Sequence, residues 1–262
     1  IRPHATKQDN AIIQCLNTNN LNNLSYLSIT EFAALANVAE STLLRFCRKL
    51  GLRGYSEFRM LLAQSKSSEY NGNTEDFAYN IMNSMTTALQ STYELINRDN
   101  LEKAVDILLG AKRIYCMGSG NSGVAAEELR NKFLRFGIHV FHVADSHFQT
   151  IAAATLTEED ALVLFSVSGS TKDILGIAQK AKSLNTKLII ITNYLKSPLS
   201  LYADVPLHVV SKSAPLDSGS LVTKISQLYV IDVLATAVFK RTEELSQRNL
   251  ERTAIAVLDK EI

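Results

Sequence analysis

Residues 160–184 contain the feature that most restricts the fold of this chain, a strand-to-helix turn built largely from hydroxyl side chains. The apolar run from Ala161 to Phe165 is short, continuous and rich in β-formers, which predicts a buried strand. Apolar residues recur at helical spacing after Thr171, so a helix is expected to begin directly after the turn. A fully apolar strand followed by such a helix is typical of a parallel sheet that is covered on both faces.

The turn itself spans residues 166–171 (Ser-Val-Ser-Gly-Ser-Thr) and is suited to binding an anion. The unpaired N–H groups of the following helix and four hydroxyls converge there, and Gly169 lets the backbone approach a ligand closely. The turn has no GxxxxGK[ST] motif and is therefore not a nucleoside-triphosphate loop. An ordinary turn in which Thr171 caps the helix is the alternative. The predicted phosphate-binding residues are Ser166, Ser168, Gly169, Ser170 and Thr171.

A second strand-to-helix turn follows the predicted strand Lys112–Met117 and reads Gly-Ser-Gly-Asn-Ser-Gly over residues 118–123. This is formally a GxGxxG motif, and Asp145 stands about twenty residues further on, so a dinucleotide site is one alternative. Against that alternative, the motif carries two serines, and Asp145 is followed by polar residues instead of ending a clean strand. We therefore expect no dinucleotide and no other cofactor.

Predicted strands and helices alternate from residue 112 onward. The strands are predicted over residues 112–117, 138–143, 161–165, 187–192 and 205–210, and a last amphipathic helix runs from Leu221 to Arg241. This alternation predicts an α/β domain with a parallel sheet and helices on both faces. Because the carboxyl ends of parallel strands share one edge of the sheet, the two hydroxyl-rich turns are expected to lie on the same edge.

Together the two turns resemble the two loops of the sugar isomerase (SIS) domain, a flavodoxin-like α/β/α sandwich that binds phosphosugars. Residues 118–123 match its first loop and residues 166–171 its second. The resemblance implies that hydroxyls of the second loop hold a phosphate and that the first loop contacts sugar hydroxyls or phosphate. A histidine in the loop region after the second strand is a further candidate contact. The effector-binding residues expected in addition are Ser119, Asn121, Ser122 and His147.

Residues 28–50 carry the pattern of a helix-turn-helix. Ser28 and Glu31 form a capping-box sequence, which predicts the start of one helix. A second helix is predicted from Glu40 to Leu50, after a short turn in which Val38 is expected to be buried. The residues predicted to face inward in the first of these helices are Phe32, Leu35 and Ala36.

The second of these helices is predicted to present a polar side to DNA. Short hydroxyls near its start can approach base edges, and arginines can reach guanine or phosphate. Residues in the turn that follows are placed for phosphate contacts. A helical subdomain with a charged, solvated face is the alternative. The predicted DNA-contacting residues are Ser41, Thr42, Arg45, Arg48, Lys49, Arg53 and Tyr55.

The segment from Ser28 to Arg59 closely resembles the helix-turn-helix of the RpiR family of bacterial sugar-metabolism regulators, most strongly in the strings RFCRKLG and GYSEF. One departure is Ala39, where the family usually has a serine that caps the recognition helix, and loss of such a cap costs about 0.5–2 kcal/mol. With the SIS resemblance, the likeness covers nearly the whole chain in the RpiR order.

The distribution of charge agrees with a DNA-binding N-terminal region. Residues 1–64 hold seven Lys and Arg against four Asp and Glu, whereas residues 65–262 hold twenty against twenty-two. The net charge of +1 for the whole chain therefore conceals a basic patch, which lies mainly within residues 45–59. A local basic patch on a small domain indicates nucleic acid as a partner, although a solvated face gives the same pattern.

The cysteines indicate a reducing compartment. Cys15, Cys47 and Cys116 lie far apart in apolar-periodic contexts, with no CxxC pair and no histidine cluster at metal-ligand spacing. We expect buried thiols, no metal and no catalytic cysteine. There is no run of eighteen apolar residues and no signal-peptide pattern, so the expected location is the cytoplasm, without membrane attachment.

An enzyme is the main alternative, because some SIS domains are aldose–ketose isomerases. Isomerisation through an enediol needs a base near the first two sugar carbons. Glu127, Glu128 and His147 are candidates, His139 is expected to be structural, and Lys224 on the last helix has no evident acid–base partner. The presence of a helix-turn-helix in the same chain favours a sensor with no catalytic residues.

These observations predict an all-α helix-turn-helix domain over residues 1–64, a polar linker over residues 65–76, and a SIS domain over residues 77–262. The expected function is a transcriptional regulator, with repression as the expected sign, of a sugar-catabolic operon. Its effector is expected to be a phosphosugar, with N-acetylmannosamine or N-acetylglucosamine 6-phosphate as candidates. A homodimer, or a dimer of dimers, would present paired helix-turn-helix units to operator DNA.

Overall fold

The computed structural model describes residues 5–19, 21–64, 77–210 and 221–258. They form two compact units: the first contains the described residues up to Ser84 together with Leu221 and Val222, and the second contains residues 85–210 and 223–258. The predicted linker, residues 65–76, lies outside the described residues.

The first unit begins with five short helices. They are α1 (Lys7–Thr18), α2 (Leu21–Ser25), α3 (Ile29–Leu35), α4 (Glu40–Lys49) and α5 (Tyr55–Gln64). Their apolar stripes meet in one core, where Ile12, Leu24, Phe32 and Leu43 are almost completely buried. Burial of these aliphatic and aromatic side chains holds together helices that are too short to be stable alone.

The helix-turn-helix prediction is confirmed in its main features. Ser28 and Glu31 form the predicted capping box, since Ser28 Oγ accepts from the Glu31 N–H at 3.1 Å and Glu31 Oε2 accepts from the Ser28 N–H at 2.8 Å. Gly51 follows α4 with a φ of +80°, the left-handed conformation that glycine adopts without strain. Val38, in the turn between α3 and α4, is half-buried against the core.

The N-terminus of α4 lacks a capping side chain, as expected, and a nearby hydrogen bond compensates for this. Ala39 occupies the N-cap position and provides no side-chain cap. Glu40, the first residue of the helix, instead accepts a hydrogen bond from Thr30 Oγ1 on α3 at 2.5 Å. This contact joins the two helices of the motif, and the carboxylate lies at the positive end of the α4 dipole.

The prediction that Leu35 faces inward is wrong, because half of its surface is exposed. The buried stripe of α3 is narrow and consists of Ile29, Phe32 and Ala33, continued by Ala36 at its C-cap. Leu35, the last residue of the helix, lies outside that stripe.

The second unit is built around a five-stranded parallel sheet in the order β2-β1-β3-β4-β5. Its strands are β1 (Arg113–Gly118), β2 (Val140–His142), β3 (Asp160–Phe165), β4 (Lys187–Thr192) and β5 (Val205–His208). Its helices are α6 (Phe77–Glu94), which begins before the boundary, α7 (Arg98–Gly110), α8 (Asn121–Arg135), α9 (Ser146–Ala154), α10 (Lys172–Ser183), α11 (Leu221–Arg241) and α12 (Glu243–Leu258). This is the predicted flavodoxin-like arrangement.

Side chains of the central strands alternate between two hydrophobic layers. Val163 and Phe165 of β3 pack into a layer that includes residues of α7, α8 and α11. Leu162 and Leu164 pack into the opposite layer with residues of α9 and α10. All six residues of β3 are buried, as its apolar sequence predicts.

Two strands and the place of one histidine differ from the prediction. β2 covers three residues and β5 four, because each lies at an edge of the sheet and pairs with one neighbour only. His139 is exposed just before β2 and is not part of a strand.

Helix α11 is long and apolar enough to cross a membrane by length and composition. In the structure its apolar side is part of the domain core, with Val230, Leu234 and Val238 buried against the sheet layer. The apolar residues on this side of α11 therefore pack within the folded domain.

An ion pair joins α1 to the predicted DNA-reading helix α4. Lys49 Nζ lies 2.6 Å from Asp9 Oδ2, and the Asp9 side chain is 2% exposed. The same carboxylate accepts from the N–H and hydroxyl of Thr6, at 2.9 and 2.8 Å, and so completes the capping box of α1. These hydrogen bonds, that from Lys49 first among them, lower the pKa of Asp9 to about 2.

We predict that Asp9→Asn destabilises the protein near neutral pH by about 1–2 kcal/mol, a value reduced by solvent screening at the partly exposed Lys49. Because the pKa of Asp9 falls on folding from 3.8 to about 2, its ionised form stabilises the fold above the higher value, and this contribution is lost as pH falls through the lower one. Urea unfolding at about pH 7 and about pH 2.5 should show the difference between the two proteins shrinking with acidity. Glu159→Gln, in an exposed pair with Lys112, is the control and should change little.

Candidate functional site

The strand order places the two hydroxyl-rich turns side by side. β1 and β3 are neighbours, and their last residues, Gly118 and Phe165, are register partners. Loop one (residues 118–123) and loop two (residues 166–171) therefore leave the sheet from adjacent positions on its carboxyl edge. The chain order also reverses between these two strands, and in open α/β sheets ligands bind in the crevice at such a switch point.

Loop two is shaped by its own backbone and hydroxyl contacts. The N–H of Ser166 donates to the Ile191 carbonyl at 3.0 Å, which holds the start of the loop against β4. Ser166 Oγ lies 3.4 Å from Thr171 Oγ1, and Ser168 Oγ accepts from the Ser170 N–H at 3.3 Å. The hydroxyls predicted to hold a phosphate are thus arranged within one turn.

The N-terminus of α10 has no side-chain cap. Thr171 occupies the N-cap position, but its side chain makes no cap hydrogen bond. Thr171 thus holds the N-cap position that the alternative expects, but its hydroxyl does not cap the helix. The N–H groups of the first helical turn keep their capacity to donate to an anion, and the helix dipole favours negative charge at the same place.

Gly169 is required by the path of loop two. It is buried with a φ of +58°, and a Cβ at this position would collide with the side chain of Ser197. The Gly169 carbonyl accepts from the Leu199 N–H at 3.0 Å, so the segment after β4 supports the loop from behind.

Loop one is formed by a second close approach of backbone segments. A Cβ on Gly118 would lie 2.6 Å from the carbonyl group of Ser122, and Gly120 has a φ of +56° at the N-cap of α8. Gly120 provides no side-chain cap, and the N–H groups of Ser122 and Gly123 donate instead to the carbonyls of Ser119 and Gly120, at 3.2 and 2.9 Å. Ser119 and Asn121 are exposed.

Ser122 differs from the other residues predicted in loop one, because it is buried and bonded inward. Its Oγ accepts from Gln227 Nε2 on α11 at 3.2 Å. Gln149 on α9 holds the same loop from another side, donating to the Gly118 carbonyl at 3.0 Å and to the Val143 carbonyl at 2.8 Å. Neither glutamine is predicted from the sequence as a site residue. The only sequence feature that marks them is the presence of a polar residue on an otherwise apolar helical face.

The predicted contact His147 lies in the first turn of α9 and is exposed. Because α9 follows β2, its N-terminus lies at the same sheet edge as the two loops. Asp145 is the N-cap of this helix and accepts from the Phe148 N–H at 3.0 Å. That role uses the carboxylate which a dinucleotide site would direct to ribose, and this weakens the dinucleotide alternative.

The candidate acid–base residues are dispersed. Glu127 is exposed and forms an ion pair with Arg130 at 3.3 Å, and Glu128 and Lys224 are partly buried on different helices. Within the described part of the chain no three His, Cys, Asp or Glu side chains are placed to hold a metal ion.

The cysteine thiols are buried, as predicted. Burial raises the pKa of Cys47 to about 11 and that of Cys116 to about 12. Both side chains are therefore neutral thiols near neutral pH, a state in which cysteine is a poor nucleophile.

Four residues of the predicted DNA-contacting set in α4 are exposed, namely Ser41, Arg45, Arg48 and Lys49. Arg45 also donates to Gln8 Oε1 of α1 at 3.1 Å. Lys49 is paired with Asp9. Beyond the helix, the side chain of Arg53 is 93% exposed.

Two members of the set are not exposed, which corrects the prediction that they face outward. Thr42 is buried, with its hydroxyl 3.4 Å from Gln8 Oε1, because α1 packs beside this part of α4. Tyr55 begins α5 and is buried in the helical core, where its hydroxyl donates to the Leu27 carbonyl at 3.1 Å.

Comparison with known proteins agrees with both units. Residues 2–69 match the helix-turn-helix domain of the rpiR family, and residues 107–237 match the SIS domain. The chain is 31% identical over 266 residues to an uncharacterised HTH-type transcriptional regulator of Clostridium perfringens, covering 97% of this chain and 95% of that protein. It is also 32% identical over 253 residues to the bifunctional protein glk of Paraburkholderia xenovorans, covering 88% of this chain but 39% of that protein.

A solved structure of Vibrio vulnificus NanR, complexed with N-acetylmannosamine 6-phosphate (ManNAc-6P), has a TM-score of 0.89 and 27% identity, covering 98% of this chain and 95% of NanR. A helix-turn-helix unit and a SIS domain in one chain define a transcriptional regulator. The chain belongs to the RpiR family.

We predict that Gly169→Ala destabilises the protein by about 1–3 kcal/mol, because alanine is strained at positive φ and its methyl group meets Ser197. Gly176→Ala is the matched control. Gly176 lies inside α10 with open space around its Cα, so alanine there should be neutral or stabilise by about 0.5–1 kcal/mol. Urea unfolding of both variants tests this, and equal effects would show that loop two has no need for glycine.

Proposed function

We propose that this protein represses a sugar-catabolic operon and that a phosphosugar bound at loops one and two changes its affinity for operator DNA. The observation that carries the proposal is the meeting of two uncapped helix N-termini, α8 and α10, at adjacent positions on the carboxyl edge of the sheet. Both helices place the positive ends of their dipoles at this edge, and the first turn of α10 also has N–H groups that no side chain caps. A phosphate ester is the common metabolite group that satisfies them.

Hydroxyls of the loops supply the remaining polar contacts. Ser168, Ser170 and Thr171 are partly or fully exposed in loop two and are proposed to hold the phosphate, with Ser166 and Gly169 shaping the turn. Ser119, Asn121 and His147 are proposed to contact the sugar, and Ser122 is proposed to donate its hydroxyl proton to a ligand oxygen while it accepts from Gln227.

The proposed effector class is an N-acetylhexosamine 6-phosphate. The similarity to NanR, which was solved with N-acetylmannosamine 6-phosphate, supports this class at 27% identity. Exposed amide and imidazole groups at Asn121 and His147 suit an acetamido sugar, because each can form a hydrogen bond with the acetamido group. N-acetylglucosamine 6-phosphate is the second candidate.

The proposed DNA surface consists of the exposed side of α4 and the following turn. Ser41, Arg45 and Arg48 are the proposed contacts on the helix, and Arg53 contacts phosphate beyond it. Residues 1–64 are proposed as the DNA-binding domain and residues 77–262 as the effector domain. Two copies of the chain, or two pairs, would place two such helices on a roughly palindromic operator in the cytoplasm.

Aldose–ketose isomerisation is not part of the proposed function. Glu127, a candidate base, forms an ion pair with Arg130 on the outside of α8. Regulation requires only that the effector bind two states of the protein with different affinities. Conversion of hexosamine or pentose phosphates by the purified chain at rates typical of enzymes would overturn this part of the proposal.

We predict that N-acetylmannosamine 6-phosphate raises the unfolding temperature by several degrees, because a ligand at about one hundred times its dissociation constant adds roughly 2.7 kcal/mol. The panel should include N-acetylglucosamine 6-phosphate, hexose 6-phosphates, the unphosphorylated sugars and NAD. Unphosphorylated sugars should have no effect at the same concentration. Stabilisation by NAD alone would contradict the phosphosugar site and favour the dinucleotide alternative.

We predict that Arg45→Ala weakens binding to DNA, because a base or phosphate contact is lost, and leaves phosphosugar binding unchanged. Loss of one such contact costs about 1–3 kcal/mol, a factor of about 5–150 in affinity. Arg252→Ala, which removes an exposed arginine from α12, is the control for net charge. Fluorescence anisotropy with a duplex that the wild-type protein selects from a random-sequence library measures the effect.

We predict the reverse for Ser168→Ala, which should weaken phosphosugar binding by a factor of about 5–10 and leave the affinity for DNA without effector unchanged. Ser183→Ala, at the far end of the helix that follows loop two, is the matched control. Isothermal titration calorimetry with N-acetylmannosamine 6-phosphate measures the first effect. If Arg45→Ala and Ser168→Ala each abolished both activities, the proposed division between the two domains would be wrong.

A further inference from the structure

We propose that a buried line of hydrogen bonds connects loop one to helix α6 and couples occupation of the effector site to that helix, with Gln227 and Thr92 as positioning residues. This inference rests on the proposed function, because it describes how occupation of the same effector site would be transmitted to another part of the chain. The line runs from Ser122 through α11 and the segment after β5 to α6.

The first step joins the effector loop to α11. Gln227 is fully buried and its Nε2 donates to Ser122 Oγ at 3.2 Å. Its Oε1 is also buried and meets no hydrogen-bond donor among the described residues. Rotation of the amide by 180° exchanges its oxygen and nitrogen, which gives a second arrangement in which Oε1 accepts from the Ser122 hydroxyl and Nε2 takes the position without a partner.

An effector can select between these two arrangements. A sugar or phosphate oxygen that accepts the hydroxyl proton of Ser122 leaves Ser122 Oγ as an acceptor for Gln227 Nε2 and excludes the second arrangement. The ligand would then bind one arrangement more tightly than the other, which is the requirement for a shift in population.

The second step passes from α11 to the end of β5. Ser226 precedes Gln227, is fully buried, and its Oγ donates to the Val210 carbonyl at 2.8 Å. Because Ser226 and Gln227 are consecutive residues of α11, a displacement of the backbone at Gln227 also displaces the contact with Val210.

The third step reaches α6. The Val210 N–H donates to Thr92 Oγ1 at 3.0 Å, and the Thr92 hydroxyl donates to the Ala88 carbonyl within α6 at 2.7 Å. Thr92 is fully buried, so water cannot replace either bond without a rearrangement. Val210 is thus held on one side by α11 and on the other by α6.

The end point of the line is the helix that follows the proposed DNA-binding domain in the chain. α6 begins at Phe77, directly after residues 65–76, and Thr92 lies in its last turn. A shift of α6 is therefore a shift of the segment that is covalently attached to the helix-turn-helix domain.

The test variant is Thr92→Val, which keeps the shape of the side chain and removes both hydrogen bonds. Thr186→Val is the matched control, because Thr186 is also buried and donates to a backbone carbonyl, that of Thr157, at 2.9 Å, but takes no part in the line. Thr92→Ser restores the hydroxyl and should restore the wild-type behaviour.

The measurement is the factor by which N-acetylmannosamine 6-phosphate changes affinity for the duplex that the wild-type protein selects from a random-sequence library. Coupling factors of about 5–150 are typical of allosteric proteins. We expect this factor to fall toward one in Thr92→Val and to stay at the wild-type value in Thr186→Val and Thr92→Ser. Affinity for the phosphosugar, measured by calorimetry, should stay within about twofold in every variant.

The possible failures are distinguishable. If the wild-type protein responds to the phosphosugar and Thr92→Val responds equally, the line of hydrogen bonds does not carry the signal, although the proposed function stands. If Thr186→Val loses its response as fully as Thr92→Val, the loss reflects destabilisation in general and the inference is wrong. If the wild-type protein binds no DNA, or binds it with an affinity that no tested phosphosugar alters, the proposed function fails and this inference fails with it.

Discussion

The parallel pairing of β1 with β3 is the contact on which the effector site depends. Because Gly118 and Phe165 are register partners at the ends of these strands, two loops that are more than forty residues apart in the chain leave the sheet side by side. The pairing is stable because β3 is buried on both faces, with its side chains divided between two hydrophobic layers. The position of the site is therefore a consequence of the core.

Within that frame, glycines and buried glutamines give the loops their shape. Gly118 and Gly169 occupy places where a Cβ would collide with backbone or with Ser197, so the loops can follow paths that leave helix N-termini uncapped. Gln149 and Gln227 bind loop one from two sides. The uncapped start of α10 beside this firmly held loop forms a site prepared for an anion, since little ordering is needed when the ligand binds.

The helical unit relies on a different constraint. Its helices are short, and contacts between α1 and α4, of which the pair of Asp9 and Lys49 is the most buried, fix the position of the helix that is proposed to read DNA. The first helix of the chain thus restricts which side chains of α4 can meet a ligand. Thr42 is buried because α1 packs beside it, whereas Arg45 and Arg48 are exposed.

Local sequence determined the elements whose causes are local. The capping box of Ser28 and Glu31, the left-handed Gly51 and the buried strand β3 could all be predicted, because each depends on residues a few positions apart or on a short apolar run. Only the tertiary structure decided the burial of Tyr55 and Thr42, the pairing of Lys49 with Asp9, and the contact of Gln227 with Ser122. These partners lie between 28 and 105 residues apart in the chain. Periodicity shows that a helix has a buried side, but which polar residues at its margin find partners depends on the neighbouring element that packs there.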